Sequence, residues 1–135
     1  MLINAPLHHV GIVQPDEDAV ARQMDLLGLT ELYRGYVPQF QALCIFTDPA
    51  NGGSPIEFVV ADGGSIAKFN RGAGGVHHIA FAVPDLVALT AEFAASGIAM
   101  IEPAPVKGAG NFLCNFLSPV ATRGVLVEYV QLLPG

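Results

Sequence analysis

Apolar and polar positions alternate along this chain in short runs, and the runs recur in the same order. His9–Val13 and His78–Val83 are short and apolar, with the composition of β-strands. Each is followed by a Pro-Asp pair, Pro15-Asp16 and Pro84-Asp85, which stops a strand and offers a cap for a helix. Beyond each pair the apolar residues take helical spacing, with Val20, Met24 and Leu27 on one face and Leu86, Leu89 and Phe93 on the other segment's face. Gly28 and Gly97 then stand where a helix should end, because glycine accepts the left-handed conformation of that position. Three further strands are predicted after each helix: about Leu29–Tyr36, Gln41–Thr47 and Pro55–Ala61, then about Ile98–Ile101, Asn111–Leu117 and Val125–Gln131.

The recurrence is an internal repeat. A shift of 69 positions superposes Leu7-His8-His9-Val10 on Val76-His77-His78-Ile79, Pro15-Asp16 on Pro84-Asp85, and Gly28 on Gly97. Residues 62–75 between the copies are rich in glycine and polar residues; Ser65 to Phe69 form a helical turn in this reading, and Gly72, Gly74 and Gly75 a hinge. The expectation is one domain over 1–135 made of two β-α-β-β-β modules, residues 7–61 and 76–131.

Composition narrows the class. Of 135 residues 52% are apolar and only 13% charged, which suits a core-rich globular protein. A net charge of −6 with six scattered basic residues argues against a nucleic-acid partner. No stretch reaches the roughly 20 apolar residues of a membrane span. Residues Met1 to Pro6 lack a basic segment leading into an apolar one, so a cytoplasmic location without a signal peptide is expected. Cys44 and Cys114 lie inside apolar runs and read as reduced core residues.

Two glutamates interrupt apolar strands, Glu57 in Ile56-Glu57-Phe58 and Glu128 in Val127-Glu128-Tyr129. A carboxylate there either faces water or is buried with a partner, since an unpaired buried charge is very costly. From His9 to Glu57 is 48 residues and from His78 to Glu128 is 50, so each module supplies a histidine on its first strand and a glutamate on its last. Two imidazoles and two carboxylates suit a divalent ion with positions left for water or substrate. Each histidine belongs to a pair, His8-His9 and His77-His78, and neighbours on a strand point to opposite faces. Alternation alone does not say which of each pair faces the site.

These segments, from His8-His9-Val10-Gly11-Ile12 through Ser65-Ile66-Ala67-Lys68-Phe69 and Gly74-Gly75-Val76-His77-His78-Ile79 to Gly124-Val125-Leu126-Val127-Glu128, resemble the vicinal oxygen chelate superfamily, and within it the methylmalonyl-CoA epimerases. The resemblance implies an α+β fold of two paired β-α-β-β-β modules whose mixed sheet curls around a metal cavity, usually in a homodimer. It implies His9, Glu57, His78 and Glu128 as ligands of one divalent ion per chain (Zn, Co, Ni or Mn). The implied activity is movement of a proton at a carbon next to a carbonyl or thioester, on a small-molecule substrate such as an acyl-CoA, with Glu128 as ligand and base. A glyoxalase-like lyase, or a resistance protein of this fold that binds a drug or metabolite, is the alternative.

The chain departs from the epimerase pattern in places. Where epimerases carry a proton-carrying glutamate before the third strand, it reads Pro38-Gln39-Phe40-Gln41; a glycine-rich loop lacks its histidine and reads Gly108-Ala109-Gly110-Asn111. Gln39, in the first altered stretch, Lys68, a cation for a carboxylate or CoA phosphate, and Asn111, which opens a strand beside the glycine-rich loop where a turn role fits equally, are the candidate substrate-side residues. Arg71, Lys107 and Arg123 are further cations that could meet a carboxylate or phosphate, a solvated surface position being the more common case for such residues, and Tyr33 and Tyr36 are assigned to packing at a module or dimer interface rather than to substrate.

Overall fold

The computed structural model describes residues 4–135. The chain is mixed α+β and forms two compact units, residues 9–77 and a second one made of 78–135 with residues 4–8. The first unit contains β1 (Leu7–Val13) from His9 onward, α1 (Glu17–Leu27), β2 (Glu31–Val37), β3 (Ala42–Thr47), β4 (Ile56–Ala61) and the short α2 (Gly64–Ala67). The second contains β5 (Gly75–Ala82) from His78 onward, α3 (Leu86–Ala95), β6 (Val106–Lys107), β7 (Phe112–Phe116) and β8 (Val127–Leu132).

Both units use one strand order. In the first, β2 pairs antiparallel with β3 and β3 with β4, while β4 runs parallel to β1. In the second, β6 pairs antiparallel with β7 and β7 with β8, while β8 runs parallel to β5. The parallel pair needs a long crossover, and α1 or α3 lies within each one. Val20 packs with Ile45 and Phe58 in the first unit; Leu86, Leu89 and Phe93 pack with Leu117 and Val127 in the second.

The helix ends follow from local chemistry. Asp16 Oδ1 accepts from the Ala19 N–H at 2.8 Å and Asp85 Oδ1 from the Ala88 N–H at 3.0 Å, so both Pro-Asp pairs supply N-caps. At the other end Gly28 and Gly97 are left-handed, with φ of 70° and 76°. The Leu29 N–H reaches back to Met24 O at 2.8 Å and the Ile98 N–H to Phe93 O at 2.9 Å, the Schellman arrangement in which the residue after the glycine folds onto the helix.

That motif corrects two expectations. Leu27, placed on the core face by its spacing, is 54% exposed, because the chain turns at Gly28 and Leu29 packs against the core instead. Ile98–Ile101 is not a strand, apart from one bridge between Met100 and Leu117. Ile98 is used up in the helix cap. The backbone of Glu102 is then met by a side chain: its N–H donates to Asn115 Oδ1 and its carbonyl accepts from Asn115 Nδ2, both at 3.0 Å. The strand beside β7 is instead the two-residue β6, further along the chain.

Candidate functional site

Strand β1 alternates, with His9, Gly11 and Val13 buried and their neighbours less so. Gly11 lies opposite Glu57 on the parallel strand β4, and Ala80 lies opposite Glu128 in the second unit. A residue without a bulky side chain at that place leaves the histidine two positions earlier room to meet the glutamate diagonally. His9 Nε2 lies 3.4 Å from Glu57 Oε1, and His78 Nε2 lies 3.1 Å from Glu128 Oε1. The four residues are only 0%, 6%, 5% and 4% exposed in the order His9, Glu57, His78, Glu128.

The same aromatic backs each pair. Phe46 is the cross-strand partner of Glu57 and meets His9 edge-on, with ring centres 5.2 Å apart at 82°. Phe116 is the partner of Glu128 and meets His78 at 5.5 Å and 89°. A rigid buried ring against each imidazole limits its rotation and excludes water from one side. The other histidines point elsewhere: His8 is tilted against Phe112 at 5.9 Å, and His77 meets Phe69 edge-on at 4.9 Å.

The donor spacing suits a metal. Two ligand atoms held about 2.1 Å from one ion lie about 3.0 Å apart at a right angle and about 3.4 Å apart at the tetrahedral angle. The two His–Glu pairs, at 3.1 and 3.4 Å, span that interval. A hydrogen bond from an imidazole N–H to a carboxylate is ordinarily about 2.7–3.2 Å, which the His9–Glu57 pair exceeds. Neutral imidazole and carboxylate are the donors that Zn, Co, Ni and Mn accept.

The suggested substrate-side residues are placed as follows. Gln39 is exposed in a 3-10 turn, Pro38–Phe40. Gln41 closes that turn with φ of 51°, and its side chain lies across the backbone at Gly63-Gly64. Lys68 is exposed at the end of α2. Asn111 donates through Nδ2 to Leu133 O at 3.2 Å and Pro134 O at 3.1 Å, so its amide ties down the C-terminal segment. The Lys107 ammonium donates to Gly110 O within the glycine-rich loop. Arg34 is engaged as well, bridging Glu31 at 2.6 Å and Glu17 at 2.7 Å; its hydrogen bonds hold the Glu31 carboxyl below the usual carboxylate range.

Tyr33 and Tyr36, both on β2, take roles that spacing did not suggest. Tyr33 stacks flat on Phe46, with centres 4.8 Å apart at 15°. Burial, reinforced by the Glu57 charge, pushes its phenol up to about 12. Tyr36, by contrast, is exposed, and its hydroxyl donates to the Asp62 carboxylate at 3.0 Å. Cys44 and Cys114 are both buried and are not joined in a disulfide. No helix among the described residues is long and apolar enough to cross a membrane.

A family model for the Glyoxalase/Bleomycin resistance protein/Dioxygenase superfamily matches residues 8–116. The chain is 31% identical to an ethylmalonyl-CoA/methylmalonyl-CoA epimerase of Cereibacter sphaeroides over 129 residues, covering 93% of this chain and 96% of the relative. Its structure is similar to that of methylmalonyl-CoA epimerase from Mycobacterium tuberculosis, with a TM-score of 0.88, 27% identity and coverage of 99% of this chain and 94% of the other. It is also similar to a variant of Streptomyces coelicolor methylmalonyl-CoA epimerase in complex with 2-nitronate-propionyl-CoA, with a TM-score of 0.82, 25% identity and coverage of 95% and 94%. With a family match over most of its length and a relative this alike from end to end, the chain belongs to the glyoxalase/bleomycin resistance protein/dioxygenase superfamily.

Proposed function

We propose that the two units work as one domain, that their His–Glu pairs together hold one divalent ion per chain, and that the protein is an epimerase-type enzyme acting on an acyl-CoA thioester. The observation that carries this is the duplication of a buried pair. Each module brings an imidazole Nε2 and a glutamate Oε1 to ligand spacing, on equivalent strands and against an equivalent phenylalanine. Burying two carboxylates is costly without a compensating cation, so a divalent ion accounts for the donor set as a whole. The substrate class follows from the relatives, which are named as epimerases of malonyl-type thioesters. A homodimer belongs to the same proposal.

Bound by His9, Glu57, His78 and Glu128, the ion would supply Lewis-acid polarisation of the substrate carbonyl, acidifying the carbon beside it. Glu128 accepts the proton from that carbon on its carboxylate and returns it. His78, 3.1 Å from Oε1, and Phe116, the partner of Glu128 across the strands, keep that carboxylate in place. Glu57 has the structural part. On the module-one side, Gln39 and Gln41 stand where a second proton carrier is expected, and an amide cannot take a proton. Removal and return through one carboxylate favours exchange at one face over inversion.

Incubating the metal-loaded protein with methylmalonyl-CoA in heavy water tests this. Deuterium should enter at the α-carbon while inversion stays slow. Efficient racemisation with deuterium incorporation would overturn the single-base mechanism; no exchange with methylmalonyl-CoA or ethylmalonyl-CoA would overturn the epimerase reading itself.

A further inference from the structure

Tyr33, Phe46 and Glu57 form a row across three strands of the first unit. Tyr33 is the registered partner of Phe46, and Phe46 of Glu57. Directly paired residues on neighbouring strands project from the same face of a sheet, so the tyrosine shares a face with the ligand pair. The register of β2 against β3 shifts between Glu31 and Tyr33. Such a bulge re-aims the side chain that follows it, and bulges concentrate beside functional sites. The result is a half-buried phenol stacked flat on the ring that backs His9.

The second module shows that this phenol is not needed for the framework. It repeats the histidine, the glutamate and the phenylalanine, yet residues 98–107, which supply its corresponding segment, contain no aromatic residue. Asn115 holds the backbone there instead. Tyr33 therefore has a partial exposure, a shared face with the site and no structural counterpart. A phenol keeps its proton at physiological pH without any shift, so the hydroxyl is available as a donor.

Building on the epimerase-type reading, we propose that Tyr33 donates a hydrogen bond to an anionic oxygen next to the reacting carbon of the bound acyl thioester. It is a substrate-positioning residue on the side of the site where Gln39 and Gln41 provide no acid. The donor favours a substrate with negative charge at that oxygen over one that is neutral there.

Tyr33→Phe keeps the stacked ring and removes only the hydroxyl. Titration calorimetry on the metal-loaded protein would compare two probes: 2-nitronate-propionyl-CoA, which is anionic beside the reacting carbon, and propionyl-CoA, which is not. The substitution should weaken the nitronate by about 10- to 100-fold, the scale of one hydrogen bond to a charged group, and leave propionyl-CoA unchanged. A merely structural tyrosine would affect both alike or neither, and either result overturns the proposal. If the unsubstituted protein binds neither probe, the acyl-thioester reading falls and this inference falls with it. Binding of both probes with an unaltered ratio in Tyr33→Phe removes this inference alone.

Discussion

Gly74 offers a stability test in which the structure supplies both the perturbation and its scale. It lies between the modules, just ahead of β5, with φ of +82°. A Cβ built there would stand 2.3 Å from the Val13 carbonyl oxygen, 3.1 Å from the Val13 carbonyl carbon and 3.4 Å from Gln14 Cα. Those atoms are backbone at the end of the strand that carries His9, and the Gln14 N–H is bonded to Val59 O at 2.9 Å, so they cannot move independently. Gly28 is the control. Its φ of +70° imposes the same left-handed conformation, but nothing lies within 4 Å of its added Cβ.

Gly28→Ala should cost only the conformational strain, about 1–2 kcal/mol. Gly74→Ala adds an overpacking term of about 1–3 kcal/mol, because the Val13 carbonyl must retreat by roughly an ångström. At about 3–4 °C per kcal/mol for a chain of this size, the midpoints should fall by about 5 °C and about 10–15 °C. Thermal unfolding followed by circular dichroism measures both on one scale. Equal losses, or a larger one for Gly28→Ala, would mean that Gly74 serves only as a flexible joint and that the close approach to Val13 does not hold in solution.

Three further outcomes are expected. His9→Ala and His78→Ala should lose most bound metal by elemental analysis while His8→Ala and His77→Ala retain it, and full occupancy in the first two would remove the proposed ligand set. Glu128→Gln should keep most metal but lose turnover by about 10²–10⁴-fold, the usual scale for a general base, with Glu57→Gln milder; the reverse order would exchange their roles. In a spectrophotometric titration of the metal-free protein one phenol should ionise only near pH 12, and Tyr33→Phe should abolish that transition. Because the folded phenol is raised, its contribution to stability is complete below the unfolded value near 10 and is lost as pH climbs through about 12.

The proposed ligands were legible because each breaks a local rule. Glu57 and Glu128 are charges inside apolar runs, and the paired histidines recur where core strands would carry aliphatic residues. The helix signals were legible too, since Asp16, Asp85, Gly28 and Gly97 act within their own few residues. What could not be read depends on partners distant in sequence. Ile98 to Ile101 has strand composition, but its fate is decided by Phe93 on one side and Asn115 on the other. The strand that does form, Val106–Lys107, is too short to show any period. Tyr33 looks like any aromatic on a half-buried strand until its register with Phe46 and Glu57 is known.

The repeat itself hides part of its evidence, for a geometric reason. Gly28 and Gly97 stand 69 positions apart, Phe46 and Phe116 stand 70 apart, and Glu57 and Glu128 stand 71 apart. The second module has therefore gained one residue before β7 and another before β8. Within a strand, a single inserted residue would turn every later side chain to the opposite face. Yet Phe46 pairs with Glu57 and Cys44 with Val59, while Phe116 pairs with Glu128 and Cys114 with Val130, in matching register. Both insertions must then lie in connections: one between α3 and β7, where Asn115 holds an irregular segment, and one in the loop before β8. A fixed offset finds the histidines and loses the glutamates and phenylalanines. An offset allowed to grow by one residue at each loop recovers all three, so the second half of the proposed ligand set and the aromatic behind it were present in the sequence as a drifting repeat.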